Sequence, residues 1–196
     1  MAIMLDKTIK TRWLSANSYD VKWGERSGEL LSMFLDHESK EERWTFSEYG
    51  CGPYTPFRKI ASTQYGYHVD CYDLKKWSDE NEVVDLNEDA ISVTKNSVGV
   101  LSGVCEYMND LGKTLALLSE FHQYFLLSYG PVPLSSEFHD AKYLKEIRIR
   151  STSRGWRNHM NMKDLVGVIS AVGYIADIRS WDRQVLLYIR GFNTNL

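Results

Sequence analysis

From Trp44 to Arg190 the chain alternates short runs rich in β-branched and aromatic residues with stretches of helical spacing. A parallel pair of strands needs a crossover of a dozen or more residues, usually a helix, whereas a hairpin needs only a tight turn. Runs set apart by helical segments therefore read as an α/β architecture, a mostly parallel sheet covered by helices. The runs are Trp44 to Tyr49, Tyr67 to Leu74, a weaker one at Glu82 to Leu86, Ser97 to Val104 with the turn that leaves it, and Tyr124 to Tyr129, closed by Gly130-Pro131. Tyr174 to Trp181 and Val185 to Arg190 lie close enough to pair as a hairpin through Asp182-Arg183-Gln184.

Two helices between these runs carry end signals. After Asn109-Asp110, which can cap a helix, Leu111, Leu115, Leu118 and His122 fall at helical spacing. Asn161, with Asp164 three residues on, opens a second helix whose apolar stripe is Leu165, Val166, Ile169 and Val172, with Gly173 as its stop. Upstream, Leu30, Leu31 and Phe34 predict a helix before the sheet begins, and the charge-dense Asp36 to Arg43 reads as a solvated connection. Residues 1–43 form a helical lid or cap segment in this reading, and 44–196 the body of a single compact domain. With 196 residues and 43% hydrophobic content, the chain can bury a core without covalent staples.

Charge and cysteine usage exclude several classes. The net charge of -3 gives no reason to expect nucleic-acid binding, which needs clustered Lys and Arg. No apolar stretch approaches the ~18 residues of a membrane span, and the opening MAIMLDKTIKTRW lacks the apolar core of a signal peptide, so cytoplasm is the expected compartment. Cys51, Cys71 and Cys105 have no C-x-x-C spacing and read as ordinary reduced thiols; the five histidines are scattered, so no metal set is expected.

Gly50-Cys51-Gly52 closes the first run, and a Gly-x-Gly turn lets the backbone approach a ligand where a side chain would clash. A dinucleotide fingerprint would place Gly or Ala at position 55, which is Thr55, between Pro53 and Pro56; there is also no P-loop lysine motif. Acids follow the loop in order. Asp73 stands 21 residues after Gly52 at the end of the second run, where an acid can accept both ribose hydroxyls of an adenosyl ligand, with Asp70 as a competing choice. Asp85-Leu86 ends the third run, where an acid can meet the adenine amino group and a leucine can cover its face; the segment DLNED holds several equivalent acids.

With these residues the chain resembles the class I S-adenosylmethionine-dependent methyltransferases. Their first motif, an acid followed by three alternate glycines, is matched by EYGCGPY except that Tyr54 stands in place of the last glycine. The segment Val98 to Asp110, the following helix and strand, the Gly155-Trp156-Arg157-Asn158-His159 segment and the terminal hairpin continue the likeness, which spans Ser18 to Arg190. The resemblance implies a Rossmann-like three-layer sandwich with a seven-stranded, mostly parallel sheet and an antiparallel C-terminal hairpin. It implies S-adenosylmethionine as cofactor, held by Glu48, Gly50, Gly52, Asp73, Asp85, Leu86 and Ser102. Its further implication is methyl transfer to a small-molecule or glycan acceptor, oxygen being the favoured atom and a sugar or sugar-phosphate the favoured class.

A hydroxyl acceptor must lose its proton as it attacks, and His is the side chain best poised for this near neutral pH. His159 is the expected base, with Arg154, Trp156 and Asn158 around an oxygen-rich or anionic acceptor, and Arg157 beside them. Ser15 to Arg26 is expected to cover the donor, bringing Tyr19, Trp23 and Arg26 toward ligand; Tyr19, Trp23 and Tyr54 are candidates to face a sulfonium. The linker from Gly130 to Arg150 is the stretch expected to set specificity. Two alternatives stay open: a non-catalytic interaction protein that keeps the fold, and a nicotinamide-linked oxidoreductase.

Overall fold

The computed structural model describes residues 20, 22–88, 90–132 and 141–192 of the chain. Its elements, in order, are α1 (Lys22–Leu35), β1 (Thr45–Tyr49), α2 (Pro56–Tyr65), β2 (His68–Asp73), β3 (Asn81–Val83), β4 (Val98–Leu101), a 3-10 turn (Cys105–Tyr107), α3 (Leu111–Leu118), β5 (Tyr124–Tyr129), α4 (Ala141–Ser153), α5 (Met162–Ile169), β6 (Gly173–Trp181) and β7 (Gln184–Gly191). The seven strands form one sheet in the order β3-β2-β1-β4-β5-β7-β6. The pairs β1–β2, β1–β4, β2–β3 and β4–β5 are parallel, and β7 is antiparallel to both β5 and β6. The expected seven-stranded, mostly parallel sheet with a terminal hairpin is therefore present.

Alternation along the strands divides the apolar side chains between two faces. Leu126 of β5 and Leu186 and Tyr188 of β7 join Phe46, Val98 and Val100 beneath α1 and α2, which contribute Leu30, Leu31, Phe34, Phe57 and Ala61. Phe125 and Leu127 of β5 and Leu187 and Ile189 of β7 face the other way, against Leu111, Leu115 and Leu118 of α3 and Leu165 and Ile169 of α5. Helices thus cover both faces, making three layers. The helix expected from Leu30, Leu31 and Phe34 is part of the main core, its inner residues at most 1% exposed.

Several boundaries depart from the sequence reading. β3 stops at Val83, so Asp85 and Leu86 follow the strand in a loop. Asp110 caps α3 as expected, accepting from the Lys113 amide, but His122 lies beyond the helix end, buried, bonded to the Tyr49 hydroxyl at 2.7 Å and the Asn96 carbonyl at 2.8 Å. Asn161 caps α5 by accepting from the Asp164 amide, yet the helix ends at Ile169 and Val166 is 43% exposed. Gly173 is not the helix stop: it begins β6, where an added Cβ would lie 2.3 Å from the Arg190 carbonyl oxygen. Two helices had no counterpart in the sequence reading, α2 after Pro56 and α4 within the supposed linker from Gly130 to Arg150.

Candidate active site

The strand order reverses between β1 and β4, and in an open α/β sheet ligands bind beyond the carboxyl ends of the strands at such a switch point. Two turns meet there. Gly50-Cys51-Gly52 leaves β1 and Ser102-Gly103-Val104 leaves β4, and both line an open cleft of about 1230 Å³. A drug-sized ligand occupies a site of roughly 300–1,000 Å³, so this cleft has room for more than one small molecule.

The β1 turn is shaped by left-handed backbone. Gly50 has φ 66° and Gly52 φ 61°. A Cβ on Gly50 would stand 2.2 Å from Cγ1 of Val104, so glycine here lets the two turns touch. Beside Gly52, which lines the cleft, the space is open to 4 Å. Three residues later Thr55 is also left-handed, at φ 41°, and Pro56 occupies the first turn of α2. The turn thus completes its path with a threonine in a conformation that glycine adopts more readily. Tyr54, in place of the third glycine, is 43% exposed and is not among the cleft-lining residues.

The acids take distinct roles. Glu48 is 2% exposed, and its two oxygens accept from the Phe57 and Arg58 amides at 3.2 and 3.0 Å, fastening the first turn of α2 to β1. Burial nevertheless pushes its pKa up to about 7. Asp73 accepts from the Gly52 amide at 2.8 Å and the Lys75 amide at 3.3 Å, which ties the glycine turn to the end of β2. Burial raises the Asp73 pKa, against the neighbouring Gly52, Lys75 and Leu74 amides. Asp70, the competing choice, lies within β2, bonded to His68 and Asn96, and does not line the cleft. Asp85, accepting from the Asn87 amide, and Leu86 do line it.

A second set of residues stands where β4 and β5 end and β7 begins. Arg26 of α1 is 6% exposed; it donates to Ser102 Oγ at 3.0 Å, to the Ser102 carbonyl at 3.2 Å and to Gln184 Oε1 at 2.8 Å. Its guanidinium lies 5.9 Å from the Trp23 ring and 5.6 Å from the Trp181 ring. Gln184 passes the contact on, donating from Nε2 to Glu106 Oε1 at 3.1 Å, and the same oxygen accepts from the Gly130 amide at 2.8 Å. Glu106 is 1% exposed and lines the cleft, and its Oε2 has no hydrogen-bond partner. Burial raises its pKa, against the opposing pull of Arg26.

Glu106 is the residue that sequence reasoning passed over. It appeared only as part of a turn after the fourth strand, and nothing in CEYMND signals an acid enclosed by β5 and β7. The expected acceptor residues divide. Arg154 and Trp156 line the cleft; Asn158 and His159 do not. Asn158 works as a bracket, donating to the Cys105 and Met108 carbonyls at 2.8 and 2.9 Å and accepting from the Tyr129 hydroxyl. His159 has a buried Nε2 without a hydrogen-bond partner and a ring 6.3 Å from that of Trp156, and burial, then Arg148, lower its pKa. Tyr19 lies outside the described residues, whereas Trp23 lines the cleft mouth. Among the described residues no group of three or more His, Cys, Asp and Glu side chains can hold a metal ion, and no helix is long and apolar enough to cross a membrane.

Comparison with solved structures assigns the architecture. An O-methyltransferase family protein from Burkholderia thailandensis superposes with a TM-score of 0.63 at 10% identity, covering 90% of this chain and 59% of that one. NcsB1, an O-methyltransferase from neocarzinostatin biosynthesis solved with S-adenosyl-L-homocysteine and 1,4-dihydroxy-2-naphthoic acid, gives 0.58 at 11% identity, covering 84% and 56%. The MccD protein gives 0.60 at 9% identity, covering 83% and 96%. This chain spans little more than half the length of PhzM, LaPhzM and MmcR, at 55%, 57% and 53%. No protein-family profile matches the sequence, and no curated protein matches it. The fold is that of the class I S-adenosylmethionine-dependent methyltransferases.

Proposed function

We propose that the chain is an S-adenosylmethionine-dependent methyltransferase acting on an oxygen of a small-molecule acceptor, with a sugar or sugar-phosphate as the favoured class. The observation that carries this reading is the left-handed glycine turn at the switch point, tied to Asp73 and lining one cleft with Asp73, Asp85 and Leu86. These residues fit the donor. Asp73 has lone pairs for a ribose diol, Asp85 and Leu86 an acceptor and an apolar face for adenine, and the space beside Gly52 admits a close backbone approach. Glu48 supports the site from behind by holding α2. Bound there, S-adenosylmethionine would supply a methyl group already activated by its sulfonium.

The protein's own work is then orientation and proton handling. Ser102, Gly103 and Trp23 line the cleft, and Trp156 and Arg154 form the acceptor side in this reading. As general base this reading favours Glu106 over His159, because Glu106 lines the cleft and His159 does not. Both Glu106 Oε2 and His159 Nε2 are buried without a hydrogen-bond partner, and burial raises the Glu106 pKa. The sugar preference rests on the polar and aromatic character of the Arg154–Trp156 wall.

Calorimetric titration with S-adenosylmethionine and S-adenosylhomocysteine tests the reading. Micromolar binding, lost in Asp73→Ala and Gly50→Val and retained in Glu106→Gln, is the expected result. No heat from folded wild-type protein would transfer the case to the non-catalytic reading of the fold.

A further inference from the structure

Charge in the cleft follows the elements that line it. Glu48, Asp73 and Asp85 come from β1 to the loop after β3, Glu106 and Asp182 from later turns, and α4 contributes Ile147, Arg150, Ser151 and, just past its end, Arg154. Those four positions follow the i, i+3, i+4, i+7 spacing of one helical face, continued just past the helix end at Ser153. Arg150 and Arg154 are therefore neighbours on the cleft-facing stripe. Among the described residues no carboxylate pairs with either arginine. Arg183, in the β6–β7 turn beside Asp182, also lines the cleft. From residue 142 to 157 there are six cations and one acid, Glu146, in a chain whose net charge is -3.

We infer that Arg150 and Arg154 form an anion subsite that receives the phosphate group of the acceptor. Guanidinium groups present planar forks that match phosphate oxygens, and two adjacent forks on one stripe suit a dianion better than a single carboxylate. An anion bound between them removes the like-charge repulsion that the empty pair leaves in place. Arg183 adds a third cation across the cleft mouth. Lys145 and Arg148 lie on the same helix but do not line the cleft, so they belong to the general field that attracts an anion and not to the subsite. This inference deepens the methyl-transfer reading and rests on it for what happens to the ligand, though anion binding can be measured without it.

The test compares wild type with Arg150→Gln/Arg154→Gln and with the charge-matched Lys145→Gln/Arg148→Gln, each titrated with glucose 1-phosphate, inorganic pyrophosphate and neutral glucose. S-adenosylhomocysteine binding is measured on the same samples. The expected result is glucose 1-phosphate and pyrophosphate binding that weakens by about tenfold or more in the Arg150/Arg154 variant, as loss of charge-assisted hydrogen bonds implies. It changes little in the Lys145/Arg148 variant, and glucose binds no more tightly than either anion. Co-sedimentation with phosphatidylcholine vesicles, with and without phosphatidylglycerol, identifies the source of the phosphate. Capture by the anionic vesicles that fails in the Arg150/Arg154 variant assigns it to a lipid headgroup, and glucose 1-phosphate binding with the same dependence assigns it to a soluble acceptor. Equal weakening by both double variants overturns the subsite, as does wild-type protein that binds neither phosphate compound nor vesicle. Failure of S-adenosylhomocysteine alone overturns the methyltransferase reading and leaves the anion result to stand by itself.

Discussion

Gly50 and Gly52 share a backbone conformation but not an environment, and substitution separates the two effects. Gly52→Ala meets only the left-handed penalty, about 1 kcal/mol, because its surroundings are open. Gly50→Ala adds a collision with Val104 and should lose a further ~1–3 kcal/mol, so its denaturant midpoint falls well below that of Gly52→Ala; equal losses would refute the contact between the two turns. Thr55→Gly should go the other way. Relief of a β-branched residue at φ 41° is worth up to about 1 kcal/mol, raising Tm by roughly 2–4 °C. Glu48 sets a pH signature. Its folded pKa of about 7 stands above the ordinary 4.5, so its contribution is complete below 4.5 and is lost as pH rises through about 7. Glu48→Gln should flatten the fall in Tm over that window, and an unchanged slope would show that Glu48 does not titrate there. At this scale the sequence disclosed Gly50, Gly52, Asp73 and Asp85, because backbone freedom and spacing after a strand are local properties. That Glu106 lines the cleft while Asn158 and His159 do not was not legible, because Asn158 is held by carbonyls some fifty residues back in the chain.

Among the elements, α1 has the most dependent position. Its apolar face belongs to the core, and Arg26 pins its N-terminal half to Ser102 and, through Gln184, to Glu106. Removing Arg26 leaves Glu106 enclosed with less compensating positive charge. Arg26→Ala should therefore destabilise by about 2–4 kcal/mol, seen in denaturant unfolding, whereas Gln184→Leu, which leaves Arg26 beside Ser102, should lose less. Strands β1, β2, β5, β6 and β7 were legible to within a residue or two because each carries a dense apolar run. α2 was missed because Pro53 and Pro56 suggested loop, although Pro at the first helical turn, followed by Phe57, Ile60 and Ala61, is a start signal. α4 offers no such stripe: AKYLKEIRIRSTS is mostly polar, and one face points to a ligand cleft in place of a core.

The whole molecule joins a parallel half, β3-β2-β1-β4-β5, to an antiparallel β7-β6 edge, and the cleft is lined by turns that leave β1 and β4 and by the β6–β7 turn. A ligand filling that opening binds residues from both halves and should stabilise them together. At a hundredfold excess over its Kd, S-adenosylhomocysteine should add ~2.7 kcal/mol, or roughly 5–10 °C in Tm, with one unfolding transition retained. Two separate transitions would contradict a single cooperative unit. The three thiols extend this point. Cys51 within the glycine turn, Cys71 on the neighbouring strand and Cys105 in the turn after β4 are all buried; the contact with Cys71, then burial, raises the pKa of Cys51, and burial raises that of Cys105, keeping those thiols protonated. An alkylating reagent can reach them only after the chain has opened locally. Their labelling rates are therefore clocks for the breathing of two walls of one cleft, and a donor lodged between those walls would slow both.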